Sequence, residues 1–476
     1  VSHKTLSLHH KQGQAFLSAA TEILYGGAAG GGKSHLMRVA AAAWCHAIPG
    51  LQVYLFRRTS PDLQKNHLTG PSGLPAMLAD WIKAGVVSHN QQLGQFKFKN
   101  GSTIHLCHCQ YPKDVYGFQG AEIHVLLIDE LTHWERGMYT YLRGRVRLGG
   151  LKVPEAYKGT FPRIIVGANP GGIGHNWVKA DFVDGAPPME VRQMPDGEGG
   201  MLRQYIPARL ADNPTQEQRE YKARLAGLGN PSLVKAMLDG DWNIVAGGMF
   251  DDVWREASHV IPSFDIPTGW RIDRSFDWGS SAPFSVGWWA EADGTDAKMR
   301  DGTTRSYPKG TLFRIAEWYG WNGKPNEGLR MLATEIAAGI LQREKAMGFA
   351  GRVRSGPADS AIFDTQNGVC IADDMGRIGV RWERADKGPG SRMNGWERMR
   401  KIFKAALAHP MEAPGLFVFD TCRQFIRTVP VLPRDEKKPD DVDTAAEDHV
   451  GDDTRYRISM QKAAPMSINL RAASNG

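Results

Sequence analysis

The chain has 476 residues, too many for one ordinary core, so two domains are the starting expectation. Hydrophobic residues make up 42% and charged residues 23%, the balance of a soluble globular protein. No run nears the roughly 18 apolar residues of a membrane span, and Val1-Ser2-His3-Lys4 has no export-leader pattern. The net charge of +7 falls in residues 1–250, with 26 Lys+Arg against 19 Asp+Glu, while residues 251–476 hold 32 of each; this suits a polyanionic partner without requiring one. Cys45, Cys107, Cys109, Cys370 and Cys422 lack zinc spacing and fit free thiols in a reducing compartment.

The first 240 residues alternate short β-rich runs with helical stretches, as in an α/β domain with a parallel sheet. Ile23-Leu24-Tyr25 leads into Gly27-Ala28-Ala29-Gly30-Gly31-Gly32-Lys33-Ser34, and a helix is predicted from Ser34 to about Ala47. Strand, glycine loop, Lys-Ser and helix is the context in which this spacing binds phosphate. Gly27, Gly30 and Gly32 let backbone N–H groups curl around oxygens, Lys33 supplies charge, and Ser34 is a candidate Mg²⁺ ligand. Val53–Phe56 reads as a buried strand followed by Arg57-Arg58. Arg57 could act on a phosphoryl transition state, in its own chain or a neighbour's, or contact DNA or solvent instead. Asn100-Gly101 between two alternating runs predicts a hairpin.

Val125-Leu126-Leu127-Ile128 is a buried-strand run that ends in Asp129-Glu130. Asp129 would join the Mg²⁺ shell and Glu130 would orient the attacking water. Arg163–Val166 predicts the next strand, and Asn169 of Gly167-Ala168-Asn169-Pro170 could sense a terminal phosphate or form an Asx turn. Gln12 is a candidate adenine contact. Arg143, Arg145 and Arg147 form a local basic patch that could face DNA or solvent.

The pattern breaks between Asp241 and Pro262, and strands are predicted at Arg274–Asp277, Phe284–Ala290 and Leu312–Tyr319. Residues 326–346 show helical periodicity, residues 435–453 read as loop, and the last twenty as a weakly structured tail. Asp277, Asp359 and Asp452 each end or follow an apolar stretch. Clustered, such carboxylates would hold two Mg²⁺ or Mn²⁺ ions for nuclease chemistry; apart, they are solvated or capping acids. His449 is equally open to a structural or a catalytic role.

In their order these elements resemble the large terminase subunit of tailed bacteriophages. Gln12, Tyr25-Gly26-Gly27 and Gly32-Lys33-Ser34 are similar to that family's opening, Ile128-Asp129-Glu130 to its second ATPase motif, and Gly167–Pro170 to its coupling motif. Ser275-Phe276-Asp277-Trp278-Gly279 resembles the first metal strand of its nuclease. Asp448-His449-Val450-Gly451-Asp452-Asp453-Thr454-Arg455-Tyr456 resembles its closing pattern, with Asp453 where a small residue is usual, so that Asp452 and Asp453 compete as the third ligand. The middle acid is Asp359, with Glu317, Asp364 and Asp373 as substitutes. The resemblance implies a P-loop ATPase domain over 1–245, a linker over 246–262, a ribonuclease-H-like nuclease over 263–460 and a tail over 461–476. It further implies ATP with Mg²⁺ in the first domain and two Mg²⁺ or Mn²⁺ in the second. The implied partners are double-stranded viral DNA, a portal protein, a small terminase subunit and further copies in a ring on the procapsid, in the host cytoplasm and without a membrane. Two readings stand against it: a P-loop helicase or translocase without nuclease activity, and a portal-binding module with a relic nucleotide site.

Overall fold

The computed structural model describes residues 6–28, 30–213, 238–242, 248–365, 369–435 and 437–460. Ala29 of the glycine loop, most of the expected tail and residues 243–247 around the expected linker lie outside them. Two compact units divide the chain: Val1–Asp252 with Gly323–Pro325 and Arg427–Asp448, and Val253–Asn322 with Asn326–Ile426 and His449–Gly476.

The first unit is built on β1 (Glu22–Gly27), β2 (Gln52–Arg57), β3 (Val87–Asn90), β4 (Gln95–Phe98), β5 (Thr103–His108), β6 (Val125–Asp129), β7 (Arg163–Ala168), β8 (Val191–Gln193) and β9 (Leu202–Ala208). Their order is β3-β4-β5-β2-β6-β7-β1-β9-β8. The central run from β5 to β9 is parallel, and the outer pairs are antiparallel. Both faces are covered, which is why the strands read as unbroken apolar runs. Val53, Leu55, Val125, Leu127 and Ile165 enter one core, and Phe56, Leu126, Ile128, Ile164 and Val166 the other. The Asn100-Gly101 hairpin joins β4 and β5 as expected, with Gly101 at φ +86°. Helix α1 (His10–Leu17) precedes β1, and α2 (Lys33–Ala47) follows the glycine loop. Because β2, β6, β7 and β1 are neighbours and parallel, their carboxyl ends share one edge, where open α/β sheets bind ligands. The sequence puts Arg57, Asp129, Asn169 and the glycine loop at those four ends.

The second unit holds β10 (Val260–Ile261), β11 (Arg271–Asp277), β12 (Ser285–Glu291), the small hairpin β13–β14 (Ala297–Lys298, Thr304–Arg305), β15 (Leu312–Tyr319), β16 (Val353–Arg354), β17 (Pro357–Ala358), β18 (Glu383–Arg384) and β19 (Leu416–Phe419). The main sheet runs β10-β19-β15-β12-β11-β17-β18, with β16 also on β11. Strands β11, β12 and β15 form an antiparallel meander, and β17 and β18 add in parallel beside β11. Three antiparallel strands with the first one central, extended by two parallel ones, is the ribonuclease-H-like arrangement. Helices α3 (Ala333–Ala346), α4 (Ser391–Ala406) and α5 (His449–Ser459) complete the elements used below.

Two local expectations change. The helix expected over 326–346 begins only at Ala333: Asn326 and Arg330 take positive φ, and Glu335 accepts the Leu332 N–H at 2.7 Å, fixing the start. The loop expected over 435–453 ends at His449, because α5 already includes Asp452 and Asp453. All five cysteines are free, and among the described residues no helix is long and apolar enough to cross a membrane.

Candidate active sites

At the glycine loop, a Cβ on Gly26 would run into the Ala168 carbonyl, so only glycine lets β1 pass β7 so closely at this point. Lys33 is buried; its Nζ donates to Asn169 Oδ1 at 2.6 Å and lies 3.5 Å from the Ala28 carbonyl. Asn169 and the loop lysine are thus brought together across 136 positions of sequence. Thr132 Oγ1 donates to the Asn169 carbonyl at 2.9 Å, linking that loop to the turn after Glu130.

Asp129 is fully buried at the end of β6. Its Oδ2 accepts from Ser34 Oγ at 2.8 Å and Arg57 Nε at 3.1 Å, and stands 3.0 Å from His67 Nε2. Burial alone would raise its pKa, but the His67 and Arg57 charges and the Ser34 hydroxyl outweigh it and hold the carboxyl well below the usual carboxylate range. Oδ1 has no partner. A buried anionic oxygen left open beside a serine hydroxyl is a donor set suited to Mg²⁺. Arg57 is engaged within its own chain, with Nε and Nη2 each 3.1 Å from Asp129 Oδ2. His67 carries no motif; the fold alone delivers it.

Glu130 adopts φ 58°, ψ 61°, a left-handed conformation that costs a non-glycine residue roughly 1–2 kcal/mol. Among the described residues its carboxylate has no hydrogen bond or ion pair. Gln12 is spent on the loop: Nε2 donates to the Gly32 carbonyl at 2.8 Å and Oε1 accepts the His9 N–H at 3.0 Å. Of the basic patch, Arg143 lies 3.5 Å from buried Glu22, Arg145 lies over the Tyr141 ring and Arg147 is exposed.

In the second unit Asp277 ends β11, and Asp359 follows β17 directly. Phe276 pairs with Ala358, and the Asp359 N–H donates to the Phe276 carbonyl at 2.9 Å, so the two acids stand at the same end of adjacent parallel strands. Asp452 comes from the first turn of α5. The Asp277 carboxylate contacts His449 Nδ1 at 3.1 Å and accepts from the Tyr456 hydroxyl at 3.3 Å. Burial, then the charges of Asp452 and Asp359, push its pKa up to about 6 against the opposing pull of His449.

The acids do not yet form a metal cage. Among the described residues no group of three His, Cys, Asp or Glu side chains is placed to grip one ion. Asp359 is ion-paired with Lys387, and Asp452 with Arg455 at 3.1 Å. The three carboxylates are hard donors of the kind Mg²⁺ or Mn²⁺ takes.

Asp452 and Asp453, the two candidates for the third ligand, differ in burial and in their partners. Asp453 is fully buried; it takes both terminal nitrogens of Arg314, at 2.5 and 3.0 Å, and accepts hydrogen bonds from Ser275 and Ser285. It pins α5 to β11, β12 and β15 and has no oxygen to spare, which leaves Asp452 to face Asp277. Glu317 is likewise committed, to the N–H groups of Gln424 and Phe425 and to Arg314 at 3.5 Å. Asp364 and Asp373 are exposed. None of these three substitutes competes with Asp359.

The fold and the two residue clusters define a class: a P-loop nucleotide-binding unit and a ribonuclease-H-like acidic unit in one chain. Residues 24–154, which hold the glycine loop and Asp129-Glu130, match the family described as terminase large subunit, T4likevirus-type, N-terminal. No curated protein matches the chain. Among solved structures it is similar to the large terminase of a thermophilic bacteriophage, at 15% identity and TM-score 0.40 over 95% of this chain and 98% of that one. It is also similar to the large terminase of bacteriophage HK97, at 10% identity and TM-score 0.39 over 96% of each chain. The P22 large terminase nuclease domain matches 45% of this chain and 93% of its own, at 15% identity and TM-score 0.32.

Proposed function

We propose that this protein is a viral DNA-packaging motor: an ATPase that drives double-stranded DNA into a procapsid, with its own metal-dependent DNA endonuclease. The observation that carries the motor reading is the meeting of Lys33, Ser34, Asp129 and Asn169 at one edge of the first sheet. Lys33 would bind the terminal phosphates of ATP, and Ser34 with Asp129 Oδ1 would hold its Mg²⁺. Glu130 orients the water, and Arg57 and His67 keep Asp129 ionised and aimed. Asn169, on the Lys33 amine, is placed to change partner as the phosphates come and go, which would couple hydrolysis to movement.

In the second unit Asp277, Asp359 and Asp452 would hold two Mg²⁺ or Mn²⁺ ions, which supply an activated water and stabilise the leaving oxygen. Lys387 and Arg455 occupy two of those acids and have to yield to metal. That occupancy favours one alternative, a translocase without nuclease activity. Portal protein, small terminase subunit, a ring of copies and action in the host cytoplasm belong to the proposal.

Glu130→Gln tests the motor reading. The variant should bind ATP as tightly as the wild type, lose ATP turnover by about 100-fold or more, and leave DNA outside emptied procapsids. Undiminished turnover would remove Glu130 from the water, and packaging without turnover would overturn the motor reading.

A further inference from the structure

Three successive carbonyls of the glycine loop are each held by a side chain from a different segment. Asn213, beyond β9, donates Nδ2 to the Gly30 carbonyl at 2.9 Å. Tyr25, fully buried in β1, donates its hydroxyl to the Gly31 carbonyl at 2.9 Å. Gln12 of α1 donates to the Gly32 carbonyl at 2.8 Å.

A trans peptide unit is planar, so the C=O of one residue and the N–H of the next point in opposite directions. Holding the carbonyls of Gly30, Gly31 and Gly32 from outside therefore turns the N–H groups of Gly31, Gly32 and Lys33 to the other side of the loop. Among the described residues these three N–H groups have no protein acceptor. They form a row of open donors beside the Lys33 amine, as a chain of phosphates requires. Left to itself a glycine run is the most flexible backbone there is, and ordering it on each binding event would weaken affinity.

We infer that Tyr25 and Asn213 are positioning residues that, together with Gln12, preset the loop for nucleotide phosphates and act on binding rather than on the chemical step. This rests on the nucleotide-binding reading above. It gives a function to a tyrosine hydroxyl and an asparagine amide that the phosphate-loop pattern does not specify.

Tyr25→Phe removes one oxygen and keeps the volume, so the fold has little reason to fail; Asn213→Ala removes the second donor. The probe is a fluorescent ATP analogue titrated into full-length protein, with and without Mg²⁺, beside kcat for ATP and the melting temperature without nucleotide. Each single variant should weaken binding by about 3–10-fold, the loss expected from one hydrogen bond, and the pair by more than either alone. kcat at saturation should stay within about twofold, since the loop is repaired once filled. Wild-type affinity in Tyr25→Phe, with or without a lower melting temperature, would overturn the inference. So would a loss of kcat at unchanged affinity. If Asn213→Ala does not fold, Tyr25→Phe decides alone. Lys33→Ala is the control: if wild-type binding does not depend on Lys33, the nucleotide reading itself fails, which is a different result from Lys33-dependent binding that ignores Tyr25.

Discussion

Asp277→Asn should give a protein that hydrolyses ATP at the wild-type rate and cuts DNA more than about 100-fold more slowly. Losing an outer partner of a metal ligand typically costs about 10–100-fold, and loss of the central acid removes more. Asp277 is central because it ends β11 between Asp359 on the adjacent strand and Asp452 on α5, and both charges act on its pKa. The same substitution should change stability in a pH-dependent way. With metal removed by EDTA, native Asp277 keeps its proton up to about pH 6, whereas an unfolded aspartate loses it near pH 3.9. Between those values the native state binds more protons, so rising pH costs stability. The urea midpoint of the variant should match the wild type at pH 4 and exceed it above pH 6. A variant no more stable at pH 7 would show that Asp277 is not under charge strain.

Arg314→Met should damage the second unit more than any substitution among the acids at its surface. Arg314 is fully buried, and the charges of Asp453 and Glu317 outweigh the desolvation that opposes its ionisation, raising its pKa. Its removal strands a buried Asp453 between two serine hydroxyls. Breaking such a pair costs about 3–5 kcal/mol, because the remaining charge is left without its counter-ion. At about 2–4 °C per kcal/mol for a unit of this size, the melting transition of the second unit should fall by roughly 6–20 °C. Asp452→Asn, next door and partly exposed, should lose cleavage with a smaller fall in melting temperature, since its pair with Arg455 is the more exposed of the two. Equal thermal effects at the two positions would contradict the division of labour between Asp452 and Asp453.

Much of this was legible because some chemistry must be written locally. A phosphate loop needs its glycines, lysine and serine in succession, and a strand buried on both faces needs an unbroken apolar run. Gly27–Ser34 and Val125–Glu130 therefore declare the site, the helix that follows and the sheet edge at once. The acids of the second unit do not, since Asp277, Asp359 and Asp452 become neighbours only through the pairing of β11 with β17 and the packing of α5. Choosing Asp452 over Asp453 needed burial, which a pair of adjacent aspartates on a helix start cannot reveal. His67 and Asn213 carry no signal for a further reason: each serves the site through one hydrogen bond to a group far away in sequence, Asp129 and Gly30. Tyr25 stands in the opening motif, but nothing local shows what its hydroxyl holds. The overlong helix at 326–346 shows the opposite failure, in which apolar spacing continued through Asn326 and Arg330 although their backbone turned left-handed.

If one chain carries two separate catalytic sites, a crossed pair of variants should separate them. Supercoiled plasmid is incubated in Mn²⁺ with wild type, Lys33→Ala and Asp277→Asn, and ATP hydrolysis is followed in parallel in Mg²⁺. Lys33→Ala should abolish hydrolysis and still cut the plasmid, while Asp277→Asn should spare the plasmid and still hydrolyse ATP. A plasmid left intact by all three proteins, or cleavage that Asp277→Asn leaves unchanged, would contradict two separate sites.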